Sequence, residues 1–228
     1  MSNKYDINRL FDLLEENNDI DFEQIYRLVD SDDSEIRRLV AELLERDFSG
    51  KGEDILIKLS DDPDELVRAE ACDSLCHSTK TDVLSKLLIL AQRDKSEIVR
   101  SYALLSYWDV YANINGSKGK TEELVHVFQK MIGFENSEHV KIICYTSLYL
   151  CGRTEFLRLI VKGLGNKDYH IRNLAADSIK KICSDSNIDE IQRVIKPFCD
   201  KEKVGFIKNK MNAILSYDPA MLKNVLQR

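Results

Sequence analysis

Cys72, Cys76 and His77 stand at i, i+4 and i+5, a spacing that sets two thiols and an imidazole along one helical face. Such a set would hold a soft or borderline metal ion only with a further ligand, and spacing along the chain supplies none. The other cysteines, Cys144, Cys151, Cys183 and Cys199, complete no C-x-x-C pair. The first residues carry no apolar stretch of the kind that directs export. The expectation is six free thiols in a reducing, cytoplasmic setting, acting as small buried hydrophobes, with no metal and no cofactor. His139 and His170 would sense pH or hold a ligand if stacking brought them together, but each also reads as an ordinary solvated residue near a helix start. Gly116-Ser117-Lys118-Gly119 has phosphate-loop residues without the strand that must precede them. Neither H-E-x-x-H, G-x-S-x-G nor G-x-G-x-x-G occurs, so no catalytic residue is assigned and a non-enzymatic protein is expected.

The elements around these residues are helices. Gly and Pro number 9 and 3 in 228 residues, too few for the turns of a β-sandwich. No apolar run approaches the roughly 18 residues of a membrane span. Net charge is −6, unevenly spread. Residues 1–114 carry 26 acidic and 14 basic side chains, whereas residues 115–228 carry 13 and 19. A field of that shape would orient a charged partner.

Six segments repeat one pattern: an aliphatic residue, a basic residue, then small or apolar residues three and seven positions on. The basic residues are Arg37, Arg68, Arg100, Lys141, Arg172 and Lys208, at intervals of 31, 32, 41, 31 and 36 residues. The long interval contains the loop signal at 113–120. Asp32 and Glu35, Asp62 and Glu65, and Asp94 and Glu97 resemble capping boxes that start a helix before each arginine. A second helical stretch lies between successive segments, so each unit is an αα-hairpin. Segments 1–19 and 218–228 are expected to cap the array, leaving six repeats over 20–217.

Asp62-Pro63-Asp64-Glu65-Leu66-Val67-Arg68-Ala69-Glu70-Ala71, echoed at Asp94…Arg100…Ala103 and Asn166…Arg172…Ala175, resembles the HEAT-repeat family. The resemblance implies an all-α, right-handed α–α superhelix of about six helix pairs in a single repeat domain. It implies that Asp62, Arg68, Asp94, Arg100 and Arg172 belong to a structural ladder between neighbouring units. Lys141 and Lys208 depart from the arginine, and Glu135 and Glu202 from the aspartate. Repeat one is a residue short between Asp32 and Arg37, so the ladder is expected to be imperfect at both ends and in the middle. Pro197 falls inside a first helix, where it should bend the chain.

If residues one before, three after and seven after the basic residue face the core, those one, two, five and eight after it face away. On that wheel Tyr102, Leu105, Trp108, Ile142, Ile143 and Tyr149 form a central apolar stripe, with Asp109, Glu70 and Asp73 beside it. An apolar centre with a charged rim describes a protein-binding hot spot. The expected function is binding of a protein or peptide with a basic surface on the concave face, as an inhibitor or immunity-type neutraliser, or as an assembly adaptor. Similarity to lyase-like HEAT proteins supplies a rival, with Trp108, Tyr102 and His139 around a small-molecule pocket. Similarity to HEAT-like DNA glycosylases supplies another through Trp108-Asp109, but the acidic N-terminal half would repel phosphates.

Overall fold

In the computed structural model the described residues are 22–45, 47, 50–116 and 121–217. Both expected caps, 1–19 and 218–228, and residues 117–120 of the 113–120 loop lie outside them. Among the described residues the chain is all-α, with twelve α-helices. They are α1 (Phe22–Leu28), α2 (Ser34–Leu44), α3 (Glu53–Leu59), α4 (Glu65–Ser74), α5 (Thr81–Arg93) and α6 (Glu97–Asn115). After these come α7 (Glu122–Phe134), α8 (Glu138–Leu150), α9 (Leu157–Gly163), α10 (Tyr169–Ile182), α11 (Ile188–Lys201) and α12 (Gly205–Leu215). Consecutive helices pack as hairpins at α1–α2, α3–α4, α5–α6, α9–α10 and α11–α12, and the even-numbered helices carry the repeated basic residues. The chain divides into two compact units, 1–124 and 125–228.

In the first unit the second helices α2, α4 and α6 pack side by side, with α3 and α5 laid against them. The sequence dictates this through one stripe per helix. Ile36, Val40 and Leu44, then Val67, Ala71 and Leu75, then Val99, Ala103 and Tyr107 are all buried. These are the positions one before and three and seven after each arginine. In the second unit Val140, Cys144 and Leu148 of α8 repeat the rule, and α9, α10, α11 and α12 close a core around Ile160, Ala175, Ile179, Ile191 and Ile207.

The helix starts differ from expectation. The N-caps are not Asp32, Asp62 and Asp94 but Asp33, Asp64 and Ser96, each nearer the helix. Asp33 accepts from Glu35 N at 2.9 Å, Asp64 from Leu66 N at 2.8 Å and Asp168 from His170 N at 2.9 Å. Asp62 and Asp94 serve the turn before the cap, accepting from Asp64 N at 2.9 Å and Ser96 N at 2.8 Å. An acid there remains free to receive a side chain from the preceding repeat.

Helix α8 ends in a Schellman turn. Gly152 N donates to Tyr149 O at 2.9 Å and Arg153 N to Leu148 O at 3.0 Å, with Gly152 at φ 89°, a conformation in which a Cβ is strained. Helix α11 runs through Pro197 without a break. All six cysteines are thiols outside any disulfide, with Cys72, Cys144 and Cys199 buried and Cys76, Cys151 and Cys183 half-buried.

Candidate partner-binding surface

The Arg–acid rungs fix how neighbouring repeats meet. Arg37 donates through Nε and Nη2 to Asp62 at 2.7 and 2.8 Å. Arg68 does the same to Asp94 at 2.8 and 2.9 Å, and Arg172 to Glu202 at 2.7 and 3.1 Å. The remaining nitrogen of each guanidinium turns back to its own repeat. Nη1 of Arg37 reaches Ser31 O at 2.6 Å, that of Arg68 reaches Asp62 O at 2.8 Å, and that of Arg172 reaches Asn166 O at 3.0 Å. Arg100 makes the same return contact, to Asp94 O at 3.0 Å. A fork of five fixed donors is what allows one side chain to hold two turns at once.

Two departures prove harmless. Glu202, one methylene longer than Asp, still accepts the full fork, and its Oε1 also accepts from Lys203 N and Val204 N at 2.9 and 2.8 Å. Repeat one is not short. Ser31 holds the position six residues before Arg37 that Asp62 holds before Arg68, and its Oγ accepts from Asp33 N at 3.3 Å.

The outward wheel needs correction. Ala69 and Ser101, one residue past their arginines, are buried at 4% and 3% exposure. An interior second helix packs against the second helix on each side as well as its own first helix, so its open stripe is narrow. In repeats two and three it runs through the residues two, five and nine past the arginine: Glu70, Asp73 and His77, then Tyr102, Leu105 and Asp109. Ile142 and Ile143, expected on the surface, are 1% and 4% exposed. The Cβ of an alanine at Gly163 would lie 2.8 Å from Ile142 Cδ1, so α9 closes directly over this side chain. Helix α8 is therefore apolar because it is enclosed. Tyr149 is half-buried and its hydroxyl accepts from Asn187 Nδ2 at 3.0 Å.

What remains open on the first unit is a coherent face. Tyr102 and Leu105 are exposed at 38% and 37%, and Trp108 beside them is half-buried. Burial, then Asp73 and Glu70, push the Tyr102 phenol above its ordinary value, which sets both carboxylates within electrostatic reach of the ring. Burial also raises Glu70 against the pull of Arg38. Burial first, then Glu45 and Asp109, raise Asp73. Arg38 spans two repeats here, meeting Glu42 and Glu70 at 3.0 Å each. In the second unit Lys210 plays that part, meeting Asp177 at 2.7 Å and Asn173 at 2.8 Å.

The Cys72, Cys76 and His77 set falls differently from the spacing argument. Cys72 is fully buried and burial pushes its thiol up to about 12, so it shares no open face with His77. His170 lies against Tyr169, whose ring meets Phe206 edge-on at 6.4 Å.

Hairpins joined by Arg–acid rungs define a helical-repeat protein. Residues 24–107 match the family model described as HEAT repeats. The crystal structure of an engineered protein shares the fold at 15% identity, with a TM-score of 0.50 over 86% of this chain and 98% of that one. A designed armadillo repeat protein aligns at 17% identity and a TM-score of 0.41 over 84% and 97%. No curated protein matches the sequence. No described helix is long and apolar enough to cross a membrane.

Proposed function

We propose that the chain is a protein-binding module. It grips a protein or peptide of basic surface through the second helices of its first unit. The observation that carries this reading is the exposed pair Tyr102 and Leu105, set among Glu70, Asp73 and Asp109. An aromatic anchor with a charged rim is the usual layout of an interface centre, and the acidic rim selects a cationic partner and speeds its approach. Masking of a basic toxin or enzyme, or presentation of a basic subunit for assembly, would each use this face. No motif of catalysis accompanies it in the sequence.

The test is capture of partners from native-host lysate at low and at moderate salt, with wild type and with a Tyr102→Ala/Leu105→Ala double variant. Support is a stoichiometric basic protein that is lost at the higher salt and absent with the variant. Equal capture by wild type and variant would remove this face from the function.

A further inference from the structure

A second cluster lies on the same unit. Its argument is independent of the partner-binding reading. Glu45, Cys76 and His77 each offer a ligand atom, and these atoms all lie within 4.8 Å of one another. They come from two different repeats. Glu45 is the residue that ends α2, its N–H bonded back to Glu42 O and Leu43 O. Cys76 and His77 sit in the single 3-10 turn Leu75–His77 that continues α4.

That turn is held from outside. Leu75 beneath it is 1% exposed. Asn113 of α6 donates through Nδ2 to Cys76 O at 2.9 Å and to Ser78 O at 3.2 Å, clamping the carbonyls on both sides of His77. Three repeats therefore fix the arrangement: one supplies the carboxylate, one the thiol and imidazole, and the third the clamp. Preorganisation of this kind is what separates a ligand set from a chance meeting of side chains.

We propose that Glu45, Cys76 and His77 bind a divalent transition-metal ion of the zinc class. The donor set decides the class. One sulfur, one imidazole nitrogen and one carboxylate oxygen suit zinc or cobalt, whereas calcium and magnesium take oxygen alone. His77 Nε2 and Glu45 Oε1 stand 4.0 Å apart, wider than the roughly 3.3 Å between two ligands of a tetrahedral ion, so these two exposed side chains close by about 0.7 Å on binding. Asp73 and Asp109 lie near enough to act on the Cys76 thiol, so a cation meets negative charge beyond its own ligands. The Glu45 and His77 side chains are 48% and 60% exposed, which gives the ion a way in. Three protein ligands leave a fourth position for water or a group from outside. As the metal–sulfur bond forms, the thiol proton passes to solvent.

The test uses the full chain, reduced with a phosphine and stripped of metal by a chelator. Cobalt(II) is titrated first, then zinc. A near-ultraviolet thiolate-to-cobalt absorption that saturates at one ion per chain and is bleached by zinc is expected. Cys76→Ser should abolish the band, and Glu45→Gln and His77→Ala should each weaken binding by at least ~10-fold. Cys151→Ser and Cys183→Ser, at the other half-buried thiols, should leave it unchanged. Absence of the band in wild type, or its survival in Cys76→Ser, overturns the proposal. Should Cys76→Ser lose its helical circular dichroism, the two exposed positions decide by the same absorption, and wild-type affinity in both overturns it.

Discussion

Arg68 and Asp94 are separated by 26 positions in the chain and meet through two parallel hydrogen bonds of 2.8 and 2.9 Å, each side chain only 7% exposed. The same guanidinium holds the carbonyls of Asp62 and Pro63 at 2.8 and 3.1 Å. Removing the guanidinium would strand a buried carboxylate and two turn carbonyls together. Arg68→Ala should lower the unfolding free energy by about 3–5 kcal/mol, the range for breaking one side of a buried pair. Arg68→Lys should recover only part of this, because an ammonium cannot fill the fork. Urea denaturation of the two variants measures both. A loss below ~1 kcal/mol in Arg68→Ala would show the rung to be energetically idle.

Acid should weaken the rungs. Asp62 and Asp94 lie below their ordinary pKa, since burial, which raises them, is outweighed by the arginine and backbone hydrogen bonds. Glu202 is lowered chiefly by the hydrogen bond from Arg172. A depressed carboxylate contributes stability that is full above its unfolded value, about 4, and is lost as pH falls through its folded value. Stability should fall below about pH 4. Asp94→Asn should be less stable than wild type at neutral pH, yet lose less on acidification. Denaturant midpoints from pH 7 to about pH 3 test this. Parallel curves for the two proteins would show that Asp94 is not a source of the slope.

Two glycines in helices should answer oppositely to alanine. At Gly163 the new Cβ would meet Ile142 Cδ1 at 2.8 Å and Ala175 Cβ at 2.9 Å, and the variant should lose about 1–3 kcal/mol to overpacking. At Gly133 no atom lies within 4 Å, and Gly133→Ala should gain about 0.5–1 kcal/mol from helix propensity. Thermal melts of the pair decide, and equal shifts would refute the close approach of α9 to α8.

Core and surface should separate by what they damage. Ile142→Ala should cost about 2–5 kcal/mol of stability, since it opens a cavity at a residue 1% exposed. Tyr102→Ala should leave the melting temperature within a degree or two and weaken partner binding by about 1–4 kcal/mol. Calorimetric melting of both variants, and titration of Tyr102→Ala with the captured partner, check the two effects. A stable Ile142→Ala would return that residue to the surface.

The repeat, the pairing of helices and the buried stripe were legible because each follows from spacing within one helix. Val67, Ala71 and Leu75 recur as Val99, Ala103 and Tyr107, and a periodic stripe has one physical reading. The rungs were legible through resemblance, but their tolerance was not. Nothing in the spacing says that Glu202 reaches as well as Asp94, or that Ser31 keeps the turn in register. The open face was misjudged at Ile142 and Ile143 because periodicity gives the angle of a residue from its own stripe, not the number of helices packed around it. Glu45 could not be joined to Cys76 and His77 for a similar cause. Their meeting depends on how α2 lies beside α4, and no interval in the chain encodes that.

The guanidinium groups of Arg37, Arg68 and Arg172 each grip their own turn and the next repeat's acid at once, so local order and order between repeats share one side chain. A repeat whose turn melts releases its neighbour in the same event. In a linear array that linkage enters as the nearest-neighbour coupling rather than the intrinsic stability of a repeat, and it sharpens the transition as well as raising it. Where Lys141 replaces the arginine, the flat fork is gone. Partial opening at that joint meets less cooperative resistance than at the rungs of Arg37, Arg68 and Arg172.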